Sequence, residues 1–126
     1  EEIALSVMAT VIGHSKSKNR FIIDAGWMAM SRDRGTAGQR IDQGYGLVCD
    51  LDGRPAEDLI VTGANQEHGL VTSRSGEPLD FGLYPLGTQL RVLPNHACST
   101  AAQYDNYHVI ESGSIIDTWS RVREWK

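Results

Sequence analysis

Residues 58–74 read DLIVTGANQEHGLVTSR. Two runs rich in β-branched and apolar residues, DLIVTG (58–63) and HGLVTSR (68–74), flank a short polar segment. Such side chains fit a pleated, half-buried surface, and runs of this length bounded by polar residues and glycine predict two paired strands. The same pattern recurs on either side. IALSVMATVI (3–12) and RFIID (20–24) flank the polar turn HSKSKNR (14–20), and YGLVCD (45–50) ends at LDGRP, where Asp52-Gly53 signals a turn. QLRVL (89–93) follows, and then YHVIE (107–111) and SIIDTWS (114–120) flank Ser112-Gly113, a hairpin connection. About eight short, mostly antiparallel strands with a turn roughly every 8–12 residues predict an all-β barrel or sandwich.

Helical pattern is sparse. AGWMAMSRD (25–33) has room for one turn or two, and CSTAAQYD (98–105) for a short helix capped by Ser99 or Thr100. No window keeps apolar i, i+3, i+4, i+7 spacing over three turns. One stretch fits no element: SRDRGTAGQRIDQGYG (31–46), rich in glycine and charge. Loops of this length are uncommon inside compact domains. Two readings stand, a loose surface loop and a loop ordered by a partner domain.

The 126 residues, 40% hydrophobic and 22% charged, suffice for one domain with its own core. The net charge of −4 and the scattered basic residues argue against a nucleic-acid partner, which needs clustered Lys and Arg. No apolar run approaches the roughly 20 residues that span a bilayer as a helix, and no secretory leader stands at the start. Two cysteines, Cys49 and Cys98, are too few for a disulfide framework, which points to free thiols and a cytoplasmic setting, although a single Cys49–Cys98 bridge stays open. The chain starts without Met and enters a strand at once, as a segment of a longer protein would.

The candidate chemistry lies in RVLPNHACST (91–100). His96 and Cys98 stand two apart after a strand, and in extended backbone residues i and i+2 share a face. Pro94 fixes its own φ and holds Leu93 extended. Imidazole with thiolate suits zinc, and two protein ligands with open positions suit a catalytic ion rather than a structural one. The plain alternative is a packed cysteine beside a hydrogen-bonded histidine. His68 is a possible third ligand from a neighbouring strand, though a structural role is the simpler reading. His14, in the polar turn, and His108, in the last hairpin, read as structural, and Tyr45 as a strand-entry residue. Lys16, Lys18 and Lys126 all lie in polar segments, so none suits a Schiff base. No nucleotide or nucleophile-elbow motif is present.

Several stretches in order, ALSVMATVIG (4–13), IIDAGWMAMSRDRG (22–35), DQGYGLV (42–48), NQEHGLV (65–71), LPNHACST (93–100) and YHVIESGSIIDTWSR (107–121), resemble the C-terminal β-domain of the D-serine dehydratase / D-threonine aldolase family. PNHAC, DAG and EHG are its most specific words. These are pyridoxal-phosphate enzymes of the alanine-racemase fold type. The resemblance implies that 1–126 is the C-terminal domain, and that an N-terminal (β/α)8 barrel, outside this chain, carries the cofactor on a lysine. It implies zinc, or manganese or another divalent metal, at His96 and Cys98, a homodimer, and a D-3-hydroxyamino acid substrate. The expected reaction is β-elimination to a keto acid and ammonia. The family's aldolases resemble this chain with an aspartate in place of Cys98, so retro-aldol cleavage is the nearest alternative; a non-catalytic β-barrel interaction module is the alternative of another class. The turn VIGHSKSKNR lacks the tyrosine of the racemases, which speaks against two-base racemisation. Loop 31–46 and the PNHAC turn are the expected contacts to the barrel and the second subunit.

Overall fold

The computed structural model describes residues 3–122, the Glu57 side chain excepted. Eight strands follow in order among them: β1 (Val7–Ser15), β2 (Arg20–Ile23), β3 (Gly46–Cys49), β4 (Pro55–Ala64), β5 (Gly69–Ser73), β6 (Gln89–Pro94), β7 (Asn106–Glu111) and β8 (Ser114–Ser120). Two short helices, α1 (Trp27–Met30) and α2 (Ala97–Ala101), precede β3 and β7. The first six strands close into an antiparallel barrel in the order β1-β2-β5-β4-β3-β6, and β7 pairs with β8 in a separate hairpin. Of the two all-β architectures open to the sequence, the barrel is the one adopted.

Alternation explains the core. Val7, Ala9 and Val11 of β1, Phe21 and Ile23 of β2, Val71 of β5 and Val48, Val61, Leu90 and Val92 point inward and form one buried cluster. Phe21 is fully buried and stacks on Tyr84, with ring centroids 5.1 Å apart. Bulges between Val11 and Gly13, Leu47 and Cys49, and Val61 and Gly63 bend the strands so that six suffice to close.

Two words in the sequence meet at one place on this barrel. Gly26 of DAG lies against the 65–68 turn, where Trp27 N–H donates to Asn65 O (2.9 Å) and Met28 N–H to Gln66 O (3.0 Å). Gly69 of EHG lies against Ala25, where a Cβ would fall 2.5 Å from the Ala25 carbonyl oxygen. Each glycine is therefore required by close backbone approach rather than by turn geometry.

Some boundaries differ from expectation. Strand β1 starts at Val7 and runs through His14, which is a strand residue and not part of a turn. Its ring bonds to the Tyr84 carbonyl (2.7 Å) and packs on Phe81. Helix α2 starts at Ala97 with His96 as N-cap and no side-chain cap, so Ser99 and Thr100 lie inside the helix. The hairpin connection at Ser112-Gly113 is as expected: both residues have positive φ, 50° and 78°, as a two-residue turn with the twist of type I′ demands. Ile115, Ile116 and Trp119 on β8 are exposed. Among the described residues, no helix is long and apolar enough to cross a membrane.

Phe21→Ala is expected to cost about 3–5 kcal/mol by urea unfolding, the usual range for emptying an aromatic core site. Gly69→Ala is expected to destabilise clearly, whereas Gly38→Ala, where a Cβ meets nothing within 4 Å, leaves the midpoint nearly unchanged.

Candidate metal centre

Strand β6 ends at Pro94 beside Gly46, the first residue of β3. Asn95 then locks the chain: its N–H donates to the Tyr45 carbonyl (3.0 Å), and its Nδ2 donates to Thr36 Oγ1 (2.7 Å) and to the Gly44 carbonyl (2.6 Å). His96 follows with extended backbone, φ −129° and ψ 96°, and Cys98 sits one residue into α2. The shared-face argument therefore applies only up to His96. The pair straddles a strand-to-helix corner, and both residues are exposed.

The second half of the site comes from loop 31–46. Asp33 Oδ2 lies 2.6 Å from His96 Nδ1, and Ser99 Oγ donates to the same oxygen at 2.7 Å. An ionised carboxylate only accepts, so Nδ1 carries a proton here, and in the neutral ring that leaves the lone pair on Nε2. Asp33 is held below the usual carboxylate range first by the Ser99 hydroxyl and then by His96.

The loop makes bonds of its own within this chain. The Asp42 carboxylate accepts from Gly44 N–H (2.9 Å), Thr36 Oγ1 (3.1 Å) and Arg34. Arg74 from the end of β5 donates to the Asp42 carbonyl (2.6 Å) and to Gln43 Oε1 (2.7 Å). The two stretches expected to meet a barrel or a second subunit thus meet each other in one chain, through Asn95–Thr36 and His96–Asp33. Tyr45 is structural, half-buried against the core with the Arg34 guanidinium 5.4 Å from its ring centre.

Beneath the corner, Thr100 is fully buried, and its hydroxyl lies within bonding reach of the His96 carbonyl (3.0 Å) and the Met30 carbonyl. Tyr104 Oη donates to the Ala29 carbonyl (2.8 Å), so α2 and its exit are pinned to α1.

The other candidates lie apart. His68 is in the β4–β5 turn, not on a strand, and lines an open cleft of about 380 Å³ with Asp24, Met28, Glu67 and Tyr104 that includes neither His96 nor Cys98. Among the described residues, no group of three His, Cys, Asp or Glu side chains is arranged to hold a metal ion, and His68 stands apart from the pair. His108 bonds across the hairpin to Thr118 Oγ1 (3.3 Å). Lys16 and Lys18 are exposed on a single 3₁₀ turn, and Lys126 lies outside the described residues. Both cysteines are free: Cys49 is buried, which pushes its thiol pKa up, and it forms no bridge to Cys98.

Fold and site together define a small antiparallel β-barrel domain that presents a His-x-Cys pair at its rim. The profile of the family described as "Putative serine dehydratase domain" matches residues 4–110, and the chain belongs to that family. It is 54% identical over 127 residues to D-threo-3-hydroxyaspartate dehydratase of Delftia sp. (strain HT23), covering 99% of this chain and 33% of that one. The solved structure of that enzyme superposes with a TM-score of 0.90 over 97% of this chain and 33% of its own. The D-serine dehydratase of Dictyostelium discoideum is 31% identical over 129 residues, 99% of this chain and 31% of that one. The chain thus spans about a third of either dehydratase. D-threonine aldolase from Filomicrobium marinum shares the fold, with a TM-score of 0.63 at 23% identity over 94% of this chain and 28% of its own.

Two outcomes are expected here. Thr100→Val removes the hydroxyl between α1 and α2 and destabilises by about 1–3 kcal/mol, while Thr100→Ser retains most of the stability, as thermal unfolding will measure. Asp42 is held below the usual carboxylate range, first by the Gly44 N–H. Its contribution is therefore present above the ordinary carboxylate pKa and lost as pH falls through the lowered one. Asp42→Asn is expected to flatten the acid limb of a plot of Tm against pH.

Proposed function

We propose that this chain is the C-terminal β-domain of a pyridoxal-phosphate-dependent lyase that dehydrates D-3-hydroxyamino acids to a keto acid and ammonia. The observation that carries this reading is the 54% identity to D-threo-3-hydroxyaspartate dehydratase across 99% of the chain. The remaining two thirds of an enzyme of that length is where the cofactor lysine belongs, since Lys16 and Lys18 are exposed on a turn. An N-terminal barrel and a second subunit are the proposed partners, with the exposed Ile115, Ile116 and Trp119 as apolar surface available to them. Two free thiols fit a cytoplasmic enzyme.

His96 and Cys98 are the proposed ligands of a divalent metal, zinc or manganese. Their donor set fits: an imidazole whose Nδ1 is occupied by Asp33, leaving Nε2 free, and an exposed thiol. Solved structures of D-threo-3-hydroxyaspartate dehydratase include a histidine-to-alanine variant and a cysteine-to-alanine variant in the metal-free form. The two replaced positions are two apart, the spacing of His96 and Cys98. A metal bound here supplies Lewis acidity for departure of the substrate hydroxyl, and the pyridoxal ring supplies the electron sink for the α-carbon. The chain's own residues orient the imidazole through Asp33, expose the thiol two residues on, and set both at the strand-to-helix corner. Cysteine rather than aspartate at position 98 favours dehydration over retro-aldol cleavage.

The test is metal analysis of the full-length protein beside its His96→Ala and Cys98→Ala variants, with D-serine and D-threo-3-hydroxyaspartate as substrates. Expected are about one metal per chain and release of keto acid and ammonia, both lost in each variant. Glycine and an aldehyde as products would make it an aldolase. Metal retained in both variants would remove the assigned ligands, and a protein with neither metal nor reaction would be an interaction module.

A further inference from the structure

We propose that Asp33 is a positioning residue for His96, fixing its tautomer and ring orientation so that Nε2 is the ligating nitrogen. This rests on the assignment of His96 and Cys98 as metal ligands.

Three observations carry it. The contact is short and specific: Nδ1 to Oδ2 is 2.6 Å, and Ser99 Oγ lies 2.7 Å from the same oxygen and 3.1 Å from Nδ1. One carboxylate oxygen, one hydroxyl and one ring nitrogen thus form a closed triangle, which leaves the imidazole a single way to face. Second, Asp33 and His96 are about half exposed, with side-chain exposures of 50% and 46%. An ion pair in that setting adds little to folding, so stability alone does not account for it. Third, the backbone is strained to deliver Asp33. Ser31, two residues before it, has φ 108° and ψ 168°, a region that disfavours L side chains. Its hydroxyl accepts from the Asp33 N–H at 3.2 Å. Such strain persists where the surroundings over-determine a geometry, and here the product of the turn is the carboxylate beside His96.

Metal-bound histidines commonly donate their second N–H to a carboxylate, which raises the basicity of the ligating nitrogen, and loss of that partner weakens metal binding about 10–100-fold. Asp33 supplies that partner from the loop, and Ser99 holds the carboxylate from α2.

The probe is cobalt(II), titrated into the metal-stripped full-length protein against a competing chelator, with the thiolate-to-cobalt absorption band as spectroscopic readout. Asp33→Ala is expected to weaken binding about 10–100-fold and to keep the thiolate band at saturation, because Cys98 still ligates. Asp33→Asn, the same size without the charge, is expected to fall between it and the parent; it also decides the matter if the alanine variant fails to fold. Parent-like affinity in both Asp33 variants, with binding lost in His96→Ala, would overturn the proposal and leave the ligand assignment standing. Parent-like affinity in His96→Ala and Cys98→Ala would remove the ligand assignment itself.

Discussion

Strand β6 is paired on both sides, by β1 along Val7–Thr10 and by β3 along Gly46–Cys49. That double pairing closes the barrel, and closure removes the free edges that an open sheet of short strands would present. It also fixes a direction. Because β6 cannot slide against either neighbour without flipping Leu90 and Val92 out of the core, its last residue has one position. Asn95 and His96 follow directly, so the site inherits its rigidity from barrel register.

The corner is then held from three sides by groups of different kinds. Asn95 ties it to the loop through hydrogen bonds from its side-chain amide, Thr100 ties α2 to α1 from the buried side, and Asp33 ties the imidazole ring itself. A pair of soft donors at a rim needs such support, because side chains on an unsupported turn would sample several rotamers and lose the geometry a ligand set requires. The fold likeness to both a dehydratase and an aldolase shows the same barrel in proteins of either name.

Strands were legible because β-branched runs and turn signals act locally. SIIDTWS is a strand with the bounds its residues imply, and Ser112-Gly113 is the turn that its φ values require. The His-x-Cys spacing was legible too, though its geometric reason was not, since extended backbone stops at His96. Asp33 could not be found in the sequence. It stands 63 residues from His96 in a stretch without periodicity, and only the placement of the loop across the start of β3 brings them together. The meeting of DAG with EHG was hidden for a similar reason: β2 and β5 are neighbours in the barrel but not in the chain. His68 reads as the first residue of a strand but stands one residue before it, because β5 starts at Gly69 and Asn65–His68 form the turn.

The closing contact has a kinetic meaning as well. The β4–β5 and β7–β8 pairs join segments adjacent in sequence, but Val7 must wait for Val92 before the barrel exists. Non-local pairing of this kind carries the loop-closure entropy of everything between and places such folds among the slower ones. During synthesis β1 emerges before the other barrel strands and stays unpaired on one side until β6 has left the ribosome, so a strand that carries the exposed apolar side chains Met8 and Ile12 is the one that waits longest for its second partner.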